Sequence, residues 1–337
     1  MKKIIFAIMT IAHLVSCGND FETVTPNTEA EGNNITITLE GDETTRLSSR
    51  AAGTAETWEK SLTSLSIFTF SSSDALVLRR DFTASELAAK TASFALPKST
   101  AGTSCSFYAV ANFSANSITS KSALLALLER SASEYNGTIA EVGSKCNRGQ
   151  GFVMSGQTTQ AVGAVNSTTA IAITLKRTVA KLIVETYIDN GFGDKYSGKL
   201  LVKSIKLSKA ASQSQVVAGS PNCGPMSYTH TQNSAANGST YNNMFFIYEN
   251  GILTSGSRVL LEINATYDID GSSSTTNDIS DVKYTVELLG RSAGQILRNG
   301  YYKVNANITG LVGQNCTVSI SVADWESPIT QTVDLGL

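Results

Sequence analysis

Short runs of apolar residues alternating with Ser and Thr recur along this chain, and they constrain its fold more than any other feature. Ile35, Ile37 and Leu39 alternate with Thr36 and Thr38. A two-residue period puts the apolar side chains on one face of a strand and the threonines on the other. Leu62–Phe70 predicts a second strand, Ser71–Asp74 a turn, and Ala75–Arg80 the returning strand of a hairpin. Ser106–Ala111 predicts a buried strand closing at Asn112. Ile171–Leu175 and Val179–Val184 are rich in β-forming residues. Further strands are expected at 199–207, 244–248, 258–267, 282–289, 301–308 and 316–322, with turn-rich stretches such as 189–198 and 232–242 between them. Many short strands with little helix predict an all-β protein built of β-sandwiches. The one expected helix is Ser120–Arg130, where Leu124, Leu125, Leu127 and Leu128 fall at helical spacing and Ser120 can cap the first turn. Its leucine stripe reads as a helix packed on a sheet.

A length of 337 residues suits two ordinary domains. Ser61–Phe70 and Lys176–Thr186 share a polar approach followed by an alternating strand, so the two domains are expected to meet near residue 168. Only 16% of residues are charged, and Ser and Thr fill the polar positions instead. The net charge of −2 leaves no basic surplus to grip a phosphate backbone, so no nucleic-acid partner is expected.

The amino end carries the sharpest local signal. Lys2 and Lys3 precede a short apolar run, Ile4–Ile11, and then Leu14, Val15, Ser16 and Cys17. This order resembles a bacterial lipobox, where the Cys17 thiol takes a diacylglyceryl group and becomes the new terminus after cleavage. Several acyl chains anchor a protein to a membrane where one binds only reversibly. Residues 18–33 are polar and acidic and read as a tether, and residues 40–57 read as an exposed loop holding Arg46 and Arg50. The remaining cysteines, Cys105, Cys146, Cys223 and Cys316, are widely spaced and read as buried free thiols, although export would permit disulfides.

No group of residues amounts to an active site. His13 falls in the leader, which leaves His230 in a polar stretch that reads as a solvated loop. One histidine cannot make a two-histidine metal site, and no nucleophile elbow accompanies it. Asp324 and Glu326 flank Trp325 as strand-end charges rather than as a glycosidase pair. Asp268, Asp270 and Asp278 near Gly271 suggest a calcium loop, but the downstream glutamate is missing and a polar hairpin tip fits better. Gly149 and Gly151 do not lead from a strand into a helix, so they make no phosphate cradle. No catalytic residue, metal or cofactor is expected.

The far end is patterned. Trp325 closes one strand and Pro328 interrupts the ladder. Ile329, Val333, Leu335 and Leu337 then share one parity. They form either a last strand folded into its own domain or a strand meant for a neighbouring molecule.

Several stretches together resemble the fimbrillin family of Bacteroidetes, the lipoprotein subunits of surface fimbriae. The lipobox at Cys17 is similar to the family's leader. Ser48, Ser49, Arg50, Ala51, Ala52 and Gly53 resemble its pro-segment cleavage site. Phe107–Asn112 is similar to a first-domain strand, Leu175–Lys181 to the interdomain signature, and Leu297–Val304 with Ile308–Gly310 and Val322–Trp325 to the C-terminal pattern. The resemblance implies two tandem transthyretin-like β-sandwich domains with a short helix in the first. The parts are a signal peptide 1–17, a pro-segment 18–50, an N-terminal domain 51–168 and a C-terminal domain 169–337.

The resemblance also implies a route to the cell surface and outer membrane, where lipid on the precursor would hold it. An Arg-specific protease would cut at Arg50–Ala51, with Arg46 as second candidate. Removal of the plug strand Ile35, Ile37 and Leu39 would open a groove for a donor strand, residues 329–337 with Ile329, Val333, Leu335 and Leu337, from another fimbrial subunit. Arg50 together with an apolar-faced terminal strand favours a shaft subunit. The alternatives are an anchor or tip component, or a monomeric surface adhesin or glycan-binding module.

Overall fold

Among the described residues, nineteen strands are joined by loops and a few single turns of helix. The structure, a computed structural model, describes residues 33–41, 57–130, 136–138, 151–219, 228–233, 240–272, 274–311, 317–323 and 328–331. In chain order the first strands are β1 (Asn33–Gly41), β2 (Leu65–Phe70), β3 (Leu76–Asp81), β4 (Thr91–Leu96), β5 (Ser104–Ala111), β6 (Leu128–Glu129), β7 (Gly137–Thr138), β8 (Met154–Ala161) and β9 (Thr168–Arg177). There follow β10 (Val179–Ile188), β11 (Lys199–Ala210), β12 (Ser214–Gln215), β13 (Tyr228–Asn233), β14 (Thr240–Tyr248), β15 (Leu260–Asp268), β16 (Ile279–Glu287), β17 (Tyr301–Ile308), β18 (Thr317–Ala323) and β19 (Pro328–Gln331). The expected all-β class is observed.

The first sheet has the order β3-β2-β5-β8-β9-β1-β4. β8 and β9 pair only at Met154/Arg177 and Ser155/Lys176. The sheet therefore folds at that corner into two leaves, one of them β4-β1-β9. Gly156 makes the corner possible, because a Cβ there would lie 2.2 Å from the Thr174 carbonyl oxygen. Ile35, Ile37, Ile171 and Ile173 of one leaf and Leu65, Ile67, Phe107 and Ala109 of the other fill one cluster. β2 is buried on both faces, which explains why Ile67 and Phe68 are both apolar although they point to opposite sides. Its second face, Phe68 and Phe70, lies under Leu124, Val216 and Val217.

Two further sheets have the orders β19-β18-β17-β10-β14-β7 and β13-β11-β15-β16, and β12 pairs with β6. Leu182, Val184, Phe245 and Val304 of the former meet Val202, Leu207, Ile263 and Tyr284 of the latter in a second cluster. The opposite face of β10, Val179 and Ile183, joins Phe152, Phe246 and Tyr248 in a third. Two-sided burial explains the run Val179–Val184, where alternation disappears.

Some expectations are corrected. The helix stops early: α2 spans only Lys121–Leu125, with Ser120 accepting from the Ala123 N–H, and the following residues enter β6, which pairs with β12. Another helix, α1 (Ala84–Ala89), starts with a capping box between Thr83 and Glu86. The change from one sheet to the next falls at Thr178, between β9 and β10. His230 is not in a solvated loop. It lies on β13, buried against Tyr228 and Phe245. Asp324, Trp325, Glu326, Gly149, Cys146, Cys223 and Cys316 lie outside the described residues, and Cys105 is a buried thiol whose pKa burial raises.

Candidate functional site

The site is built around β1. Its alternation places Ile35, Ile37 and Leu39 inward, 0%, 0% and 5% exposed, while Thr38 faces solvent. β1 runs parallel to β9, from Asn34 opposite Thr168 to Gly41 opposite Leu175. On its other side it runs antiparallel to β4, from Asn33 opposite Leu96 to Thr38 opposite Thr91. β1 is thus the middle strand of the leaf β4-β1-β9. Edge contacts reinforce the ladder: Leu39 N–H donates to the Lys90 carbonyl at 2.9 Å, and the Thr91 hydroxyl donates to the Ile37 carbonyl at 2.9 Å. Lys90 holds a left-handed conformation, φ 54°, which ends α1 and turns the chain into β4. Burying three large aliphatic side chains contributes about 5–9 kcal/mol, an upper bound because unfolded chains already bury part of this surface.

At the end of β9, past its pairing with β1, lies a polar junction. Arg177, the last residue of β9, donates to the Glu59 carbonyl at 2.8 Å and to Asn299 Oδ1 at 2.7 Å. The Asn299 N–H returns a bond to the Val179 carbonyl at 2.9 Å. Lys181 Nζ lies 2.9 Å from Glu59 Oε1, with both side chains buried. Asn112, at φ 57°, accepts from the Thr63 N–H and donates to the Ser61 and Phe152 carbonyls, each at 2.7–2.8 Å. Gly151 is needed here, since a Cβ would lie 2.4 Å from the Ser61 carbonyl oxygen. Arg298 pairs with Glu249 and reaches Gln215 O, Val216 O and Ser155 Oγ. The motifs Leu175–Lys181 and Leu297–Val304 therefore meet at this junction. Glu59, Trp58 and Glu249 were not legible as members, because their partners are distant in sequence.

The terminal segment begins in its own sheet. β19 pairs antiparallel with β18, from Pro328 opposite Ala323 to Gln331 opposite Ile320, which places Ile329 opposite Val322 at the sheet edge. Cys17, Arg46, Arg50, Ala51, Val333, Leu335 and Leu337 lie outside the described residues. Asp268, Asp270 and Asp278 bring carboxylate oxygens within 4.8 Å of one another at the β15–β16 hairpin. Turn bonds from Gly271 N–H to Asp268 and from Ser272 N–H to Asp270 account for two of them. No helix among the described residues is long and apolar enough to cross a membrane.

Residues 33–199, the span holding β1, its leaf and the junction, match the family model for the major fimbrial subunit protein (FimA). Through this region the chain belongs to the FimA fimbrillin family. No curated protein matches the sequence significantly. Among solved structures, this fimbrillin resembles a candidate cell adhesion protein from Parabacteroides distasonis, with TM-score 0.60 and 13% identity over 88% of this chain and 98% of that one. It resembles the tip fimbrial protein Mfa3 from Porphyromonas gingivalis, with TM-score 0.55 and 15% identity over 87% and 100%. It also resembles a fimbrilin (FimA) from Porphyromonas gingivalis, with TM-score 0.55 and 14% identity over 83% and 91%. At these identities the likeness is one of fold. Family membership implies a place in a cell-surface fimbrium and assembly with other fimbrial subunits.

Proposed function

We propose that this fimbrillin is a shaft subunit that polymerises by exchanging β1 for a strand of a neighbouring copy. The observation that carries this reading is topological. β1 is a central strand, yet it joins the rest of the described fold only through residues 42–56, the segment that holds Arg46 and Arg50. One cut there frees the strand and breaks no other chain connection. Its loss bares the edges of β4 and β9 and the apolar floor beneath Ile35, Ile37 and Leu39. Unpaired edges over apolar surface bind another strand readily.

The precursor would be exported, lipidated at Cys17 and cut after Arg50, or after Arg46, by an Arg-specific protease. Its domains would divide into the pro-segment, a first β-sandwich and a second carrying the terminal strand, with Thr178 at the junction. The donor would be residues 329–337 of another copy. Val333, Leu335 and Leu337 repeat the spacing of Ile35, Ile37 and Leu39. Together with Ile329 they would bury about 6–12 kcal/mol of apolar surface before ordering costs. Because donor and slot are different surfaces, the contact is head-to-tail and builds an open filament.

The experiment is brief trypsin treatment of the purified chain that begins after Cys17, followed by mass spectrometry and size-exclusion chromatography. A product starting at Ala51 or Leu47, with loss of the β1 fragment and a ladder of oligomers, is the expected result. A cut product that keeps its β1 fragment and stays monomeric overturns it. Deleting residues 332–337 should abolish the ladder, and filaments that persist would remove the donor assignment.

A further inference from the structure

The structure describes the chain again from Thr57, just after the segment with Arg46 and Arg50, and residues 58–63 make several fixed contacts. The Trp58 ring packs on Phe152 at 5.5 Å and on Phe246 at 6.0 Å between centroids. Glu59 is 0% exposed, and its carboxylate pairs with Lys181 of β10 at 2.9 Å. The Glu59 carbonyl accepts from Arg177, and the Ser61 carbonyl and Thr63 N–H bond the side chain of Asn112. Ser61 N–H closes the turn onto the Trp58 carbonyl. In the middle of this grip sits Lys60, exposed to solvent.

We infer that Trp58–Thr63 is a latch that ends maturation. It keeps proteases that cut after basic residues from continuing past the upstream arginines, and it holds the new amino end on the junction once β1 has left. The chemistry is that of local unfolding. A protease needs several residues in an extended, free conformation, so a fixed bond is cut only when its segment opens. The Lys60–Ser61 bond is fixed on both sides: Glu59 is buried in an ion pair before it, and the Ser61 carbonyl is bonded after it. An exposed basic side chain is therefore present without a cleavable backbone. The same residues tie both neighbouring sheets together, with Arg177 and Asn112 from the first and Lys181 and Phe246 from the second.

The inference rests on the proposed cut between residues 42 and 56, and one time course separates the two. Trypsin accepts Lys and Arg alike, so the chain beginning after Cys17 is treated and product amino ends are followed by mass spectrometry. The expected result is complete conversion to products starting at Leu47 or Ala51 before any product starting at Ser61 is seen. In Trp58→Ala and in Lys181→Met, the Ser61 product should form at least roughly tenfold faster, while exposed Lys90 and Lys98 stay uncut. A wild-type chain cut after Lys60 as fast as after Arg50 overturns the latch and leaves the plug reading standing. A chain never cut within 42–56 overturns the plug reading instead. If a variant is cut throughout, the wild-type rates decide alone.

Discussion

Ile37 of β1 stands opposite Ile171 of β9 in a parallel pair, and both side chains are buried in the same cluster. A strand that enters parallel to its neighbour cannot be a hairpin return. It must reach β9 by a longer path, and as the first of the described strands it joins the rest of the described fold through residues 42–56.

Ile37→Ala in the uncut chain removes buried aliphatic atoms that the packed leaf cannot replace. The expected loss is about 2–5 kcal/mol, read from the urea midpoint. Thr38→Ala, at the exposed neighbouring position, should change stability by less than about 0.5 kcal/mol. If cleavage releases β1 as proposed, Ile37→Ala should have no effect in the cut and assembled form.

Asn112→Gly tests the junction. Glycine adopts φ 57° without strain, so the backbone is satisfied and only the side chain's bonds to Ser61, Thr63 and Phe152 are lost. The stability should still fall by about 1–3 kcal/mol, measured by thermal unfolding. A neutral or stabilising result would show that the backbone conformation was all that mattered.

Arg298→Met leaves the Glu249 carboxylate buried opposite an apolar side chain. The single change should cost about 3–5 kcal/mol. Arg298→Met with Glu249→Leu should recover a large part of that loss, and a double-mutant cycle gives the coupling.

His230 is held neutral by burial, which lowers its pKa to about 4. Tyr228, Phe245 and Asn136 surround it, and none of them supplies a charge for an imidazolium. Between the unfolded value near 6.5 and the folded value the unfolded chain binds the extra proton, so stability rises with pH in that window. The contribution is complete above about pH 6.5 and falls by about 3 kcal/mol as pH drops to 4. Urea midpoints measured from pH 7 to 4 should show this slope, and His230→Gln should remove it.

Much of the fold was readable as strands because alternation is local. Ile35, Ile37 and Leu39 declare both their conformation and their inward face, and Leu76–Asp81 follows β2 as a hairpin should. β8 was not readable, since Met154–Ala161 is mostly polar and only its first two residues are buried. The helix expected at Ser120–Arg130 ended at Leu125, because pairing of Leu128 and Glu129 with β12 competes with further turns. The capping box at Thr83 and Glu86 was in the sequence as a start signal, but α1 is short and lacks a buried stripe. His230 misled because its polar neighbours hide the fact that alternate side chains on β13 point opposite ways.

By itself the sequence determined which segments extend, which face of each is apolar, and that Arg46 and Arg50 lie between the first strand and the rest. Tertiary structure alone decided that β1 lies between β4 and β9, that Glu59 meets Lys181, and that Arg177 meets Asn299. The physical reason is range. Strand period and turn chemistry act over a few residues, whereas strand order and the burial of charge depend on partners that only chain closure brings together.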